Sequence, residues 1–265
     1  MVVKLSDSPI PLIIQADKCN PIDITDSNVV FELPELPSSL DLILQMLGPI
    51  RTERPRTFVD DRTSLCLPKR IVEAADFSGL DFSTLTKIRI VDFGQTFFQD
   101  QPPPSLGTPI DYFPPEICFG YSPSSSSDIW SLACVLYKVE CGSFLFPTFF
   151  EIFEFLVGTA VCYLGPLPEE WKGRFLFEEY GYREEGKPMN RSEVTWWFSD
   201  KFPDKSIDDR LTKEAPHLSN RQREDFVRLL RDMVVYEPEK RLSATDVVER
   251  LGESVFPDEP AQPGG

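Results

Sequence analysis

Asp128-Ile129-Trp130-Ser131-Leu132-Ala133-Cys134-Val135-Leu136-Tyr137-Lys138-Val139-Glu140 is the stretch that decides the fold. Ile129, Trp130, Leu132, Ala133, Val135, Leu136 and Val139 cover nearly every face of a helix read over Ile129–Glu140. A helix without a polar side belongs inside a protein, not on it. Just before it, Ser122-Pro123-Ser124-Ser125-Ser126-Ser127 and then Asp128 form a helix-start signal, because short oxygen-bearing side chains accept from the first free backbone N–H groups. A buried central helix needs others around it, and the downstream sequence supplies them. Glu151–Tyr163 reads as one. Ser219-Asn220-Arg221-Gln222 matches a capping box, after which Phe226, Leu229, Leu230, Met233 and Val234 recur at helical spacing. Ser243-Ala244-Thr245-Asp246 opens a last helix with Val247, Val248 and Leu251 facing inward.

Upstream the pattern changes. Val29–Leu33, stopped by Pro34, and Lys87–Val91, with its β-branched run, read as strands. Leu12, Ile13 and Ile14 suit a short strand within Pro11–Ala16, while Pro9, Pro11 and Pro21 prevent a continuous helix over 1–22. Between the two main strands, Ser39–Leu47 reads as a short helix ended by Gly48-Pro49, and the rest of 34–85 is mixed charge and proline, the composition of an insert. Residues 253–265 read as a frayed tail. Strands first and helices after give an α+β, mainly helical domain with a small sheet at its N-terminal edge.

Composition narrows the function. The chain has 265 residues, 41% apolar and 26% charged, enough for a real core. Its formal net charge of −16 opposes nucleic acid and anionic membranes and favours basic or neutral protein partners. The most apolar region, Phe144–Leu167, is broken by Pro147, Glu151, Glu154 and Pro166, short of the roughly 18–20 clean apolar residues that a membrane span needs. His217 is the sole histidine, which excludes a multi-histidine metal site and leaves a nucleophilic triad no other imidazole. The cysteines (Cys19, Cys66, Cys118, Cys134, Cys141 and Cys162) form no C-x-x-C pair and read as reduced thiols, mostly buried and apolar, in a cytoplasmic or nuclear protein.

Two short stretches carry chemistry. Asp92-Phe93-Gly94 leaves the strand ending at Val91; an aspartate there can aim its carboxylate at a cation, although a glycine turn has the same sequence. Asp23-Ile24-Thr25-Asp26-Ser27-Asn28 has the spacing D-x-x-x-x-N and runs straight into a strand; taken alone it also reads as a polar turn. In phosphoryl transfer an aspartate orients the hydroxyl proton, and an asparagine supplies a neutral oxygen to Mg²⁺. A metal-dependent hydrolase built on Asp23 and Asp92 is another reading, but it leaves the later motifs unused.

Those later motifs are Gly107-Thr108-Pro109-Ile110-Asp111-Tyr112-Phe113-Pro114-Pro115-Glu116, Asp128-Ile129-Trp130-Ser131 and Glu237-Pro238-Glu239-Lys240-Arg241-Leu242-Ser243-Ala244. With the two stretches above, and in this order, the series resembles the C-terminal lobe of eukaryotic protein kinases over 23–252. It is similar to fungal kinases distantly like the SR-protein kinases in the 34–85 insert, in Leu164–Trp171 and in Glu185–Pro188. The resemblance implies a protein kinase that uses ATP and Mg²⁺ to phosphorylate Ser/Thr of protein substrates, basic and Arg-rich ones given the acidic charge. Asp23 then resembles the catalytic aspartate, and Asn28 and Asp92 the Mg²⁺ ligands. Thr108 resembles the threonine beside the catalytic aspartate, and Gly94 closes the D-F-G. Glu116 resembles the structural glutamate paired with a late arginine, Arg241. Asp128 resembles the aspartate that opens the central helix and holds the catalytic loop. The acidic pairs Glu169/Glu170, Glu178/Glu179 and Glu184/Glu185 are candidate substrate contacts, although charge pairs of this kind also make a plain solvated face.

The family pattern also has departures. The usual H-R-D reads Pro21-Ile22-Asp23, so an activation-loop phosphate lacks its arginine, and phosphorylation of Thr96, Ser105 or Thr108 is not expected to act as a switch. Residues 1–22 hold no glycine and no glutamate, and only Lys4 and Lys18 as lysines. A Gly-rich loop and its lobe are therefore expected to be missing. This leaves open a second class of function, a catalytically dead kinase-like module that binds protein.

Overall fold

In a computed structural model of the protein, residues 19–20, 24–32, 38–55, 68–74, 77, 85, 87–98, 100–183, 195–200 and 205–252 are described. The predicted strand at 11–16 and the tail at 253–265 lie outside them. The chain divides into two compact units, one made of Met1–Val30 with Thr86–Gly265, the other of Phe31–Leu85.

In the larger unit the central helix α2 spans Ser125–Cys141, with Ser127–Ser131 and Ala133–Tyr137 buried. It starts a turn earlier than the sequence suggested. Ser124 is the N-cap: its Oγ accepts from the Ser126 N–H at 3.2 Å, and its own N–H donates to Ser127 Oγ at 3.2 Å. Asp128 therefore lies inside the first turn and is not the cap. Trp130 is fully buried and stacks on Phe146 with ring centroids 4.9 Å apart. Helix α3, Phe153–Leu164, buries Leu156, Val157, Ala160 and Val161. It begins two residues later than Glu151 because Phe150 and Glu151 hold positive φ (63° and 51°), outside helical space. Gly158 is the point of closest approach: a Cβ there would meet the Trp196 ring carbons at 3.1 Å.

Helix α4 spans Phe177–Tyr180, α5 Ile207–Glu214, α6 Asn220–Met233 and α7 Ala244–Arg250. The expected Ser219–Gln222 capping box is present, with Gln222 N–H on Ser219 Oγ at 3.3 Å and Ser219 N–H on Gln222 Oε1 at 3.0 Å. Phe226, Leu229, Leu230, Met233 and Val234 are all buried. In α7, Val247 is buried and Leu251 partly so, but Val248 is 37% exposed. Neighbouring helical residues point about 100° apart, so Val247 and Val248 do not share one inward face. An aromatic cluster fills the space under the loops: Phe119 lies 4.8 Å from Trp171 and 5.5 Å from Phe175, which in turn lies 5.1 Å from Trp197. Among the described cysteines, Cys118 and Cys134 are free and buried, and burial pushes both thiols up, out of the reactive range.

Small sheets edge this unit. Strand β1, Cys19–Asn20, pairs antiparallel with β6, Phe97–Phe98, in the register Cys19↔Phe98 and Asn20↔Phe97. Strand β2, Val29–Phe31, pairs with β5, Ile88–Ile90. The smaller unit holds α1, Leu40–Leu47, ended by Gly48 at φ 79°, and an antiparallel hairpin of β3, Thr52–Glu53, and β4, Ile71–Val72. Leu40, Leu42, Ile50, Ile71 and Val72 are all exposed there.

Candidate functional site

The pairing of β2 with β5 brings two distant stretches together. Val91 N–H donates to the Asn28 carbonyl at 2.9 Å, so the start of β2 meets the end of β5. Asn28 closes the 3₁₀ turn Asp26–Asn28, whose own bond runs from Asn28 N–H to the Thr25 carbonyl at 3.1 Å. Asp92 follows Val91 directly. The two residues that the sequence nominated as cation ligands thus occupy adjacent strand ends.

Asp92 sits at φ 62°, ψ 71°, the left-handed region, which costs a residue other than glycine about 1–2 kcal/mol. Its Oδ1 accepts from the Gly94 N–H at 3.2 Å, and the residue is exposed. This explains the glycine: a Cβ at position 94 would lie 3.1 Å from that same carboxylate oxygen. Backbone strain of this kind clusters at functional sites. Asp23 lies outside the described residues. Thr108 is buried, 6% exposed.

Glu116 and Arg241 meet 125 residues apart in sequence. Arg241 Nη2 donates to Glu116 Oε2 at 2.7 Å and Nη1 to Oε1 at 2.8 Å, with both side chains at 0% exposure. The remaining guanidinium donors are taken up by the carbonyls of Val235 (2.7 Å), Ser126 (2.9 Å) and Tyr236 (3.1 Å), and Ser127 Oγ donates to Glu116 Oε1 at 3.0 Å. A buried charge pair is tolerable only when every donor finds a partner, as here. Through these bonds the pair ties the turn Pro115–Phe119 to the start of α2 and to the segment before α7.

Sequence reasoning passed over a cluster beside this site. Tyr112 hydroxyl donates to Asp26 Oδ1, while Lys138 Nζ reaches Asp26 Oδ2 at 2.9 Å and the Tyr112 hydroxyl at 3.0 Å. Burial alone would raise the Asp26 carboxyl, but the hydrogen bonds from Tyr112 and Lys138 and the lysine's charge hold it below the usual carboxylate range. Burial and the Asp26 carboxylate together push the Tyr112 hydroxyl far up, so it stays a donor. The only available signal was Lys138 interrupting an otherwise apolar helix. Of the acidic pairs, Glu169 is engaged by Lys172 at 3.0 Å and Glu178 by Arg183, all four exposed; Glu184 and Glu185 lie outside the described residues.

The donor set fits Mg²⁺. An exposed carboxylate and a carboxamide are hard oxygen donors, and among the described residues no three His, Cys, Asp or Glu side chains gather as a richer cluster. Mg²⁺ is ordinarily held by one or two carboxylates, water and substrate phosphates. Among the described residues, no helix is long and apolar enough to cross a membrane.

Comparison with known proteins adds a relationship. The family described as protein kinase domain matches residues 80–251. The chain is similar to serine/threonine-protein kinase AFC3 of Arabidopsis thaliana, 26% identical over 162 residues, covering 61% of this chain and 40% of that protein. It is similar to dual specificity protein kinase CLK2 of Homo sapiens, 24% identical over 164 residues, covering 62% and 31%. A probable dual specificity protein kinase YAK1 homolog of Encephalitozoon cuniculi is 34% identical over 116 residues, covering 42% and 28%. The chain thus spans less than half the length of these relatives.

Proposed function

The chain belongs to the protein kinase domain family, and on that premise we propose that it transfers the γ-phosphoryl group of ATP to serine or threonine hydroxyls of protein substrates. The observation that carries the proposal is the β2–β5 pairing, with Asn28 and Asp92 at adjoining strand ends. In this reading Asp23 orients the substrate hydroxyl and takes its proton, and Thr108 helps to place that hydroxyl. Asn28 and Asp92 would hold Mg²⁺, which when bound neutralises charge on the phosphates. Glu116, Arg241 and Asp128 keep the frame in which these groups are aimed, and Gly94 leaves room for the Asp92 carboxylate. A net charge of −16 supports basic, Arg-rich substrates.

A nucleotide-dependent thermal shift, paired with a phosphate-transfer assay on an arginine/serine-repeat peptide, tests the proposal. At about 100 times Kd, Mg·ATP should stabilise the chain by about 2.7 kcal/mol. Asp92→Asn should abolish both the shift and the transfer. The absence of any shift at millimolar Mg·ATP would reject phosphoryl transfer and leave the protein-binding module as the reading.

A further inference from the structure

The Asp26–Asn28 turn is anchored at both ends, by different means. At its far end the Asn28 carbonyl is fixed by Val91 N–H at 2.9 Å. At its near end Asp26 has no backbone strand to hold it and is gripped by two side chains from elsewhere, Tyr112 and Lys138. Both come from elements packed in the core of the larger unit. Tyr112 is 4% exposed, and its carbonyl accepts from Ser131 Oγ of α2 at 2.9 Å. Lys138 projects from α2 itself, with its ammonium 4.2 Å from the Phe144 ring centre and 5.6 Å from that of Tyr112. Each arm is directional. The hydroxyl donates to one carboxylate oxygen, the ammonium to the other, and the ammonium also donates to the hydroxyl, closing a ring of three bonds.

Two of the three residues are more than a quarter exposed at the side chain: 27% for Lys138 and 37% for Asp26. A contact so open to solvent adds little to overall stability. Its effect is geometric. Without it the turn keeps its backbone bond at Asn28 and the buried Ile24 and Thr25 before it, and loses the side-chain tie that fixes Asp26 to Tyr112 and Lys138.

We propose that Tyr112 and Lys138 are positioning residues for the Asp26–Asn28 turn, tying it to the central helix so that Asn28 stays at the strand end it shares with Asp92. The inference rests on the phosphoryl-transfer reading for its consequence, but not for its existence.

The test uses the full chain and the variants Tyr112→Phe, Lys138→Met and Lys138→Arg. Amide hydrogen exchange is followed on peptides covering 24–32 and 220–233. The first should exchange about three- to fivefold faster in Tyr112→Phe and in Lys138→Met, the factor expected for a partly exposed charge-assisted contact, while the second keeps its wild-type rate. Lys138→Arg, which retains a cation, should restore protection. In transfer to the arginine/serine-repeat peptide, the Mg²⁺ concentration for half-maximal rate should rise about three- to fivefold in the same two variants with the peptide KM unchanged. Wild-type exchange over 24–32 in both variants, or equal acceleration of both peptides, overturns the proposal. If the wild-type chain transfers no phosphate, the enzymatic reading fails by itself, and the exchange result still decides the positioning role.

Discussion

The Glu116–Arg241 and Asp26–Lys138 pairs bridge distant stretches at nearly the same distance, 2.7 and 2.9 Å, in opposite surroundings. The first is at 0% exposure on both sides and uses every guanidinium donor. The second keeps 27% and 37% of its side chains in contact with solvent. Burial makes the first pair indispensable once it is present, because losing one partner strands a charge where water cannot reach. Exposure makes the second thermodynamically light, because solvent replaces much of what a deletion removes. Equal geometry therefore serves different ends: one pair holds the fold together, while the other fixes a single turn in place.

Substitutions in four ion pairs, graded by burial, sharpen or break that contrast. Glu116→Gln or Arg241→Met should each lower stability by about 3–5 kcal/mol, and Glu116→Leu combined with Arg241→Met by less than the sum, measured by urea unfolding. A loss below about 1 kcal/mol in either single variant would erase the distinction. The intermediate case is Arg210–Glu214 in α5, with side chains 16% and 30% exposed and further bonds from Arg210 to the Leu145 and Phe144 carbonyls. Arg210→Met should cost about 1.5–3 kcal/mol.

That pair also carries a pH signature. Burial alone would raise the Glu214 carboxyl, but hydrogen bonds from Ser143, Arg210 and Tyr137 and the Arg210 charge bring it below the ordinary 4.5. A carboxylate depressed in the folded state stabilises the fold above its unfolded pKa. The contribution fades as pH drops below that value and through the folded one. Wild-type stability should therefore fall more steeply below about pH 4.5 than that of Glu214→Gln, as urea midpoints across pH will show. Lys138→Met should cost no more than about 1 kcal/mol, and Lys172→Met, whose Glu169 partner is 70% exposed, about 0–0.5 kcal/mol. A global loss at Lys138 as large as that at Arg241 would make the two pairs alike.

What could be read from the sequence was what is encoded locally. Ser219 and Ser243 with their partners three residues on, the apolar stripe from Phe226 to Val234 and the apolar surface of α2 are patterns within one or two turns, and each reappears in the fold, except that Val139 near the end of α2 is 37% exposed. Asp92-Phe93-Gly94 was visible as a turn, but its left-handed aspartate was not. The Glu116–Arg241 pairing spans 125 residues and was reachable only through resemblance to a family. Helix α5 escaped because Ile207 and Leu211 are its only buried residues, too few to show a period. The β3–β4 hairpin escaped because its strands are two residues each, and β1 because its partner lies near the far side of the D-F-G turn. Lys138 is the one cation of a mostly apolar helix. Its partners come from two other stretches, and no local rule joins them.

The stretch that separates Val30 from Thr86 has its two ends pinned by a strand pair. Neighbouring strands run about 5 Å apart, so the chain leaves and re-enters the larger unit almost at one point. Topologically the Phe31–Leu85 unit is a hairpin loop grown large, and closing a loop depends only logarithmically on its length, about 0.6 kcal/mol per doubling. Evolution could therefore lengthen, shorten or rewrite this excursion with little penalty to the frame it springs from. The same doorway would accept a transplanted domain whose termini lie side by side.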